Sequence, residues 1–80
     1  MVIDLVLMRG RHRIGVEIKM TEAPTMTPSI RIAMEDLRLD RVIVVHAGAE
    51  RFPLAERVVA VPVQDLFTPA VRRMLSPTSK

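Results

Sequence analysis

The sequence predicts a small α/β domain, and three successive patterns along its 80 residues support that prediction. Two alternating segments near the start predict a β-hairpin, and an amphipathic segment predicts a helix. A β-branched run then predicts a buried strand. A chain of this length buries a modest share of its surface, so we expect marginal stability unless a partner helps. We expect one domain over residues 1–75 and a frayed tail over residues 76–80.

The predicted hairpin has a register that its apolar residues determine. Gly10 and Arg11 suit a two-residue turn between the alternating segments 2–8 and 14–19. That turn pairs the apolar residues of one face as Leu7 with Ile14, Leu5 with Val16 and Ile3 with Ile18. On the other face it brings Asp4 directly opposite Glu17. A longer turn that shifts the pairing by two residues would keep the same faces and place Asp4 diagonal to Glu17.

The rest of the chain predicts a crossover helix and one or two further strands. Thr27 is a suitable N-cap, Pro28 suits the first helical position, and apolar residues recur at helical spacing as far as Leu39. A helix between strands favours their parallel placement. Residues 42–45 and 58–61 are the strand candidates, residues 49–57 are expected to be a loop, and residues 64–75 are expected to form a short C-terminal helix despite Pro69.

The composition excludes several classes of function. There is no cysteine, which removes thiol catalysis, thiolate zinc sites and disulfide scaffolds. His12 and His46 lack metal-ligand spacing, and neither a P-loop nor a dinucleotide-binding glycine pattern is present. The chain shows neither a signal peptide pattern nor an apolar run of membrane-spanning length, so a cytoplasmic location and no membrane contact are expected.

The aliphatic excess and the charge bear on possible partners. Hydrophobic residues are 49% of the chain, yet only Phe52 and Phe67 are aromatic. This excess indicates either aliphatic surface covered by a partner chain or a neighbouring domain, or simply a Val-rich sheet. We therefore expect a homodimer or another homo-oligomer. A net charge of +3 permits contact with DNA. Arg9, Arg11 and Arg13 group at the hairpin tip and are candidate phosphate contacts, the alternative being a solvated turn.

One constellation carries potential chemistry: Asp4, Glu17 and Lys19 share a face of the predicted hairpin. Two facing carboxylates repel each other unless a positive group lies between them. Mg²⁺ accepts such oxygen ligands, and a neighbouring lysine orients an attacking water, which together would suit phosphodiester hydrolysis. The alternative is a solvated sheet face with an ordinary ion pair. His46, after the buried run, either reaches this site or only ends a strand.

At these residues the chain resembles the PD-(D/E)xK superfamily, whose members have the restriction-endonuclease-like fold. It is more closely similar to the C-terminal domain, itself of unknown function, of a bacterial family of AAA-type ATP-binding proteins. The resemblance covers most of residues 3–67 and rests on segments 3–6, 13–19, 37–41, 45–48, 52–54 and 61–63. It implies a truncated restriction-endonuclease-like core, metal ligation by Asp4 and Glu17, and Lys19 as the catalytic lysine.

The chain departs from that family pattern in front of the hairpin. Superfamily members usually begin with a helix and a further strand, and the ATP-binding family also carries an upstream ATPase. We therefore expect a nuclease-like domain that is incomplete at its N-terminus and leaves a sheet edge open to an identical chain. Two functions remain open: a non-catalytic or partner-completed oligomerising module, and a Mg²⁺-dependent nuclease that cleaves DNA with Asp4, Glu17 and Lys19.

Overall fold

The computed structural model describes residues 3–67 and residue 69, which form a mixed α/β fold. One five-stranded sheet has the strand order β1-β2-β3-β5-β4. The two outer pairs are antiparallel, whereas β2, β3 and β5 run parallel to one another. The elements are β1 (Leu5–Arg9), β2 (His12–Ile18), α1 (Pro28–Asp36), β3 (Arg41–His46), β4 (Phe52–Ala55), β5 (Val58–Pro62) and a 3-10 helix (Val63–Phe67).

The hairpin register predicted from the sequence is confirmed over the length of β1. Leu7 pairs with Ile14 and Leu5 pairs with Val16, and the turn consists of Gly10 and Arg11. Gly10 has φ +63°, a conformation that glycine adopts at no steric cost. The alternation of apolar residues, together with the two-residue turn of Gly10 and Arg11, therefore placed the two strands correctly.

The predicted pairings of Ile3 with Ile18 and of Asp4 with Glu17 are wrong, because the register slips at Asp4. The N–H of Asp4 donates to the carbonyl of Val16, at 2.9 Å, although Val16 already faces Leu5. An extra residue of this kind reverses the alternation of the side chains that precede it. Ile3 consequently packs on the same side of the sheet as α1.

Helix α1 begins where the sequence predicts and ends a turn earlier. The Thr27 hydroxyl accepts from the N–H of Ile30 at 3.2 Å, with Pro28 at the first helical position. At the other end Arg38 takes a left-handed conformation, with φ 54°, and the N–H of Leu39 reaches back to the carbonyl of Met34 at 2.9 Å. This is a Schellman-type stop, and it releases Leu39 from the helix to pack in the core.

The crossover places β2 and β3 in parallel as predicted, but the prediction of a loop over residues 49–57 is wrong. Phe52–Ala55 forms β4, the outer strand beside β5. The strand is short and contains Pro53, which is tolerated because it lies at the edge of the sheet. The sheet therefore has three strands after α1 where one or two were expected.

Two apolar clusters lie on the two faces of the sheet. The helix-side cluster contains Ile3, Ile30, Ala33, Leu39, Val42, Val44 and Val58. The far-side cluster contains Ile14, Ile43, Val45 and Val61, with Leu7, Val16, Val59 and Leu66 against it. β3 is the middle strand and is buried on both faces, which its β-branched run predicts.

Only part of the predicted C-terminal helix, residues 64–75, falls within the described residues. Val63–Phe67 is a 3-10 helix where the start of an α-helix was expected. Apart from residue 69, the rest of that predicted helix and the tail over residues 76–80 lie outside the described residues. Within residues 3–67 and 69, no helix has the length and apolar character needed to cross a membrane.

Candidate functional site

Glu17 is a buried carboxylate near the end of β2. It pairs with Val44 of β3, a member of the helix-side cluster, so both side chains lie on the helix side of the sheet. The side chain of Glu17 is 5% exposed, and its Oε1 has no hydrogen-bond partner among the described residues. Burial of an acidic group with an unsatisfied oxygen costs free energy, so the presence of Glu17 here needs a physical explanation.

Lys19 supplies the positive charge beside Glu17. Its N–H donates to the carbonyl of Val45 at 2.7 Å, which extends the pairing of β2 with β3 past Ile18. Its Nζ lies 3.6 Å from Oε2 of Glu17, an ion-pair distance longer than a good hydrogen bond. The lysine side chain remains 37% exposed, so the pair joins a buried anion to a cation at the surface.

Asp4 approaches the same segment from the preceding chain. Its Oδ2 accepts from the N–H of Ile18 at 2.7 Å, and its own N–H donates to Val16. Asp4 therefore bonds to the residues on both sides of Glu17. One of its carboxylate oxygens is engaged by the main chain, which is a structural use that the sequence pattern does not reveal.

Burial raises the pKa of the Glu17 carboxyl above its ordinary value of 4.5. The ammonium of Lys19 acts in the opposite direction, and the negative charge of Asp4 adds to the increase. Because burial outweighs the lysine, the site favours the protonated carboxyl more than water does. The carboxyl of Glu17 therefore either keeps its proton or, when ionised, requires a cation beside it.

The donor set suits a Mg²⁺ ion held by two protein carboxylates. Mg²⁺ in proteins is commonly bound by one or two carboxylates, with waters and substrate phosphates completing its octahedron. The unsatisfied Oε1 of Glu17 is an available oxygen, and Asp4 has a second oxygen beside the one bound to Ile18. In the part of the chain that the structure describes, no set of three His, Cys, Asp or Glu side chains comes together as ligands.

The hairpin tip is an exposed group of arginines, of which one has a structural role. Arg9, Arg11 and Arg13 are all exposed. The Nη1 of Arg13 donates to the carbonyl of Leu37 at 3.1 Å, at the C-terminal end of α1. The N–H of Arg13 donates to Oδ2 of Asp40 at 2.8 Å. Arg13 thus ties β2 to the turn after the helix.

His46 is a buried residue, for which the sequence predicts either a side chain that reaches the site or a polar residue that ends the strand. It is fully buried at the end of β3, and its ring centroid lies 5.5 Å from that of Phe52. Its Nδ1 accepts from the N–H of Gly48 at 3.0 Å, so Nε2 carries the proton of the neutral ring. Nε2 has no partner among the described residues. The sequence did contain a signal for the burial of His46, because this histidine directly follows four β-branched residues.

Comparison with known proteins identifies relatives of the chain but no solved structure. Residues 3–66 match the family model "Domain of unknown function (DUF4143)". The chain is 41% identical over 66 residues to the uncharacterized proteins Mb2031c of Mycobacterium bovis and Rv2008c of Mycobacterium tuberculosis. The match covers 82% of this chain and 15% of each relative. No solved structure matches.

Proposed function

We propose that this chain, which belongs to the DUF4143 family, is a non-catalytic interaction module that pairs with a second copy through β1. The observation that carries the proposal is that β1 is an outer strand of the sheet with apolar side chains exposed on both of its faces. An open strand edge of this kind is a template for another strand.

The exposed apolar residues concentrate on the hairpin. Leu5 is 52% exposed on one face of β1, and Met8 is 56% exposed on the other face beside Val6. A strand that pairs with β1 in the same sheet must itself tolerate apolar neighbours on both faces. β1 meets this requirement, which favours a second copy of the chain over a strand with one polar face.

The backbone supports one symmetric register. In a two-residue hairpin the residues beside the turn exchange both hydrogen bonds, and the pattern then alternates along the strand. Arg9 and His12 are that pair, so the N–H and C=O groups of Val6 and Met8 point away from β2. An antiparallel pairing centred on Leu7 joins Val6 to Met8 of the partner subunit, twice by symmetry, and satisfies all of these groups.

Self-association is tested by sedimentation of Met8→Lys, with Ile32→Lys as the matched control. Met8 and Ile32 are 56% and 57% exposed, but Ile32 lies on α1, away from the β1 edge. We expect the wild type and Ile32→Lys to form dimers, whereas Met8→Lys is a monomer with an unchanged circular dichroism spectrum. A wild type that is monomeric at high concentration, or a Met8→Lys protein that dimerises equally well, would refute the proposal.

A second candidate function is Mg²⁺-dependent cleavage of DNA in a restriction-endonuclease-like site of an ATPase-associated protein. It is favoured by the unsatisfied, buried Oε1 of Glu17 beside Lys19 and Asp4. Glu17 and Asp4 would hold the ion, and the ion would supply Lewis-acid stabilisation of a phosphate. Lys19, whose ammonium is partly exposed, would orient a water and balance developing negative charge.

Binding and cleavage are measured separately for this second candidate. Calorimetric titration with Mg²⁺ or Mn²⁺ should show binding that Glu17→Gln abolishes, because the amide cannot replace an anionic ligand. Incubation with plasmid DNA should show metal-dependent nicking that Lys19→Met abolishes while metal binding persists. Intact plasmid after long incubation with both metals would exclude cleavage, and the absence of any metal binding would exclude the site itself.

A further inference from the structure

The topology gathers arginines at the end of the sheet where the parallel strands begin. β1 ends and β2 begins there, and β3 and β5 also start at this end. The turns before β3 and β5 and the turn after β1 therefore come together. Each contributes exposed guanidinium groups, and we call this set the arginine end: Arg9, Arg11, Arg13, Arg38, Arg41 and Arg57.

Arg41 and Arg57 are neighbours within the arginine end. The pairing of Val42 with Val58 places Arg41 beside Arg57 at the starts of β3 and β5, whereas the backbone of Arg13 on β2 is bonded to Asp40. Strands in a sheet are about 4.8 Å apart, so the positive charges of Arg41 and Arg57 lie on adjacent strands. Several exposed arginines spread over three turns suit a polymer of negative charge better than a single small anion.

Local structure does not account for most of these arginines. Arg13 is bound to the end of α1, and Arg38 stops the helix. By contrast, no hydrogen bond or ion pair within the described residues occupies the guanidinium groups of Arg11, Arg41 and Arg57. Exposed arginines without internal partners carry planar donors that match phosphate oxygens.

The two ends of the sheet differ in their balance of charge. Asp4, Glu17, Glu22, Glu50 and Asp65 lie at or beyond the ends of the parallel strands, whereas Glu35, Asp36, Asp40 and Glu56 lie at the arginine end, where the six arginines outnumber them. From Arg13 to Lys19 the chain advances along β2 by about 20 Å. A ligand held at the arginine end is thus remote from the Asp4, Glu17 and Lys19 group.

We propose that the arginine end binds the phosphate backbone of double-stranded DNA without a metal ion and without the carboxylate site. Duplex is favoured over single strands because the chain has only two aromatic residues, and neither Phe52 nor Phe67 lies in these turns to stack a base. Turn residues such as Gly10, Asp40 and Glu56 offer nothing apolar to insert into a lipid surface. The contact reads backbone charge and carries no base specificity.

The test is fluorescence anisotropy of a short labelled duplex in EDTA, over a salt series from about 50 to about 200 mM. We expect weak binding by the wild type that falls steeply with salt. The double variant Arg11→Gln/Arg41→Gln should bind at least about tenfold more weakly, with the slope of log Kd against log salt reduced by about 2. Arg51→Gln, which removes a positive charge just before β4 at the opposite end, should bind within about twofold of the wild type.

Each remaining outcome would overturn the proposal. These are no duplex binding by the wild type at the lowest salt, equal loss of affinity in Arg51→Gln and in the double variant Arg11→Gln/Arg41→Gln, and a requirement for Mg²⁺. Displacement of the duplex by polyglutamate as readily as by unlabelled duplex of equal charge would assign the surface to an acidic protein instead. Circular dichroism of every variant excludes unfolding as the cause of a loss.

Discussion

The carboxylate of Asp4 accepts a hydrogen bond from the backbone N–H of Ile18, with 2.7 Å between Oδ2 and N. This bond occurs where the pairing of β1 with β2 has already slipped, so the side chain satisfies a donor that the main chain of β1 no longer reaches. The residue that the sequence assigns to metal binding is thus also the residue that ends the hairpin ladder.

The role of Asp4 in the hairpin predicts different effects for two substitutions. Asp4→Ala removes the acceptor of the Ile18 N–H and should lower the free energy of unfolding by about 1 kcal/mol. Asp4→Asn keeps an oxygen that can accept the same bond and should lose less than half as much. Urea unfolding measures both values. If Asp4→Asn were as unstable as Asp4→Ala, the hydrogen bond would not be the source of the stability.

The raised pKa of Glu17 predicts that its contribution to stability decreases as the pH rises. The folded protein holds the Glu17 proton more tightly than the unfolded chain, in which the pKa is near 4.5. The resulting stabilisation is fully present below pH 4.5 and is lost as the pH rises through the folded pKa. Glu17→Gln cannot titrate, so the wild type should lose stability relative to this variant as the pH rises from 4.5 through the folded pKa.

Urea unfolding of both proteins at one concentration and several pH values measures this difference. Every other titrating group is shared, so subtraction isolates Glu17. A difference that stays constant with pH, or that moves in favour of the wild type as the pH rises, would show that Lys19 outweighs burial in the folded protein. That result would also weaken the case for a cation site, because Glu17 would already have sufficient positive charge beside it.

The hairpin and the start of α1 were predictable because their signals are local. Alternation over five residues, with a turn of Gly10 and Arg11, permits a single register that pairs apolar residues. Thr27 followed by Pro28 combines a capping side chain with a residue that suits the first helical turn. Both signals depend on neighbouring residues alone, and the tertiary structure does not overrule them.

The elements that were missed depend on contacts between distant parts of the chain. β4 has four residues and includes Pro53, so it is a strand only because β5 offers an edge beside it. The slip at Asp4 comes from a hydrogen bond between a side chain and a backbone group, and no hydrophobic pattern contains that information. The convergence of Arg41 and Arg57 likewise follows from strand order, which local periodicity does not specify.

The N-cap of α1 predicts a measurable loss when Thr27 is replaced. Thr27→Ala removes the hydroxyl that accepts from the N–H of Ile30 and should destabilise the protein by about 1 kcal/mol. Thr27→Ser retains the hydroxyl and should stay within about 0.3 kcal/mol of the wild type. Urea unfolding followed by far-ultraviolet circular dichroism compares them. Equal losses in the two variants would point to the threonine methyl group, and not to the cap.

Gly48 and Gly15 should respond very differently to the same substitution, Gly→Ala. A Cβ at Gly48 would collide with the backbone carbonyl of Glu22 and come within 3.0 Å of His46 Nδ1, the acceptor of the Gly48 N–H. A Cβ at Gly15 would meet first the end of the Leu39 side chain, at 2.7 Å.

A side-chain terminus can move, whereas a backbone carbonyl held by the chain cannot move cheaply. We therefore expect Gly15→Ala to lose about 1 kcal/mol and Gly48→Ala to lose about 3 kcal/mol or to fail to fold. Replacing glycine by alanine reduces the conformational freedom of the unfolded chain, which stabilises both variants equally. The difference between their free energies of unfolding therefore reports on the folded state. Urea unfolding, with expression yield for a protein that does not fold, gives the order. If Gly48→Ala were the more stable variant, the loop after β3 would not pack against Glu22, and the burial of His46 beneath that loop would need another explanation.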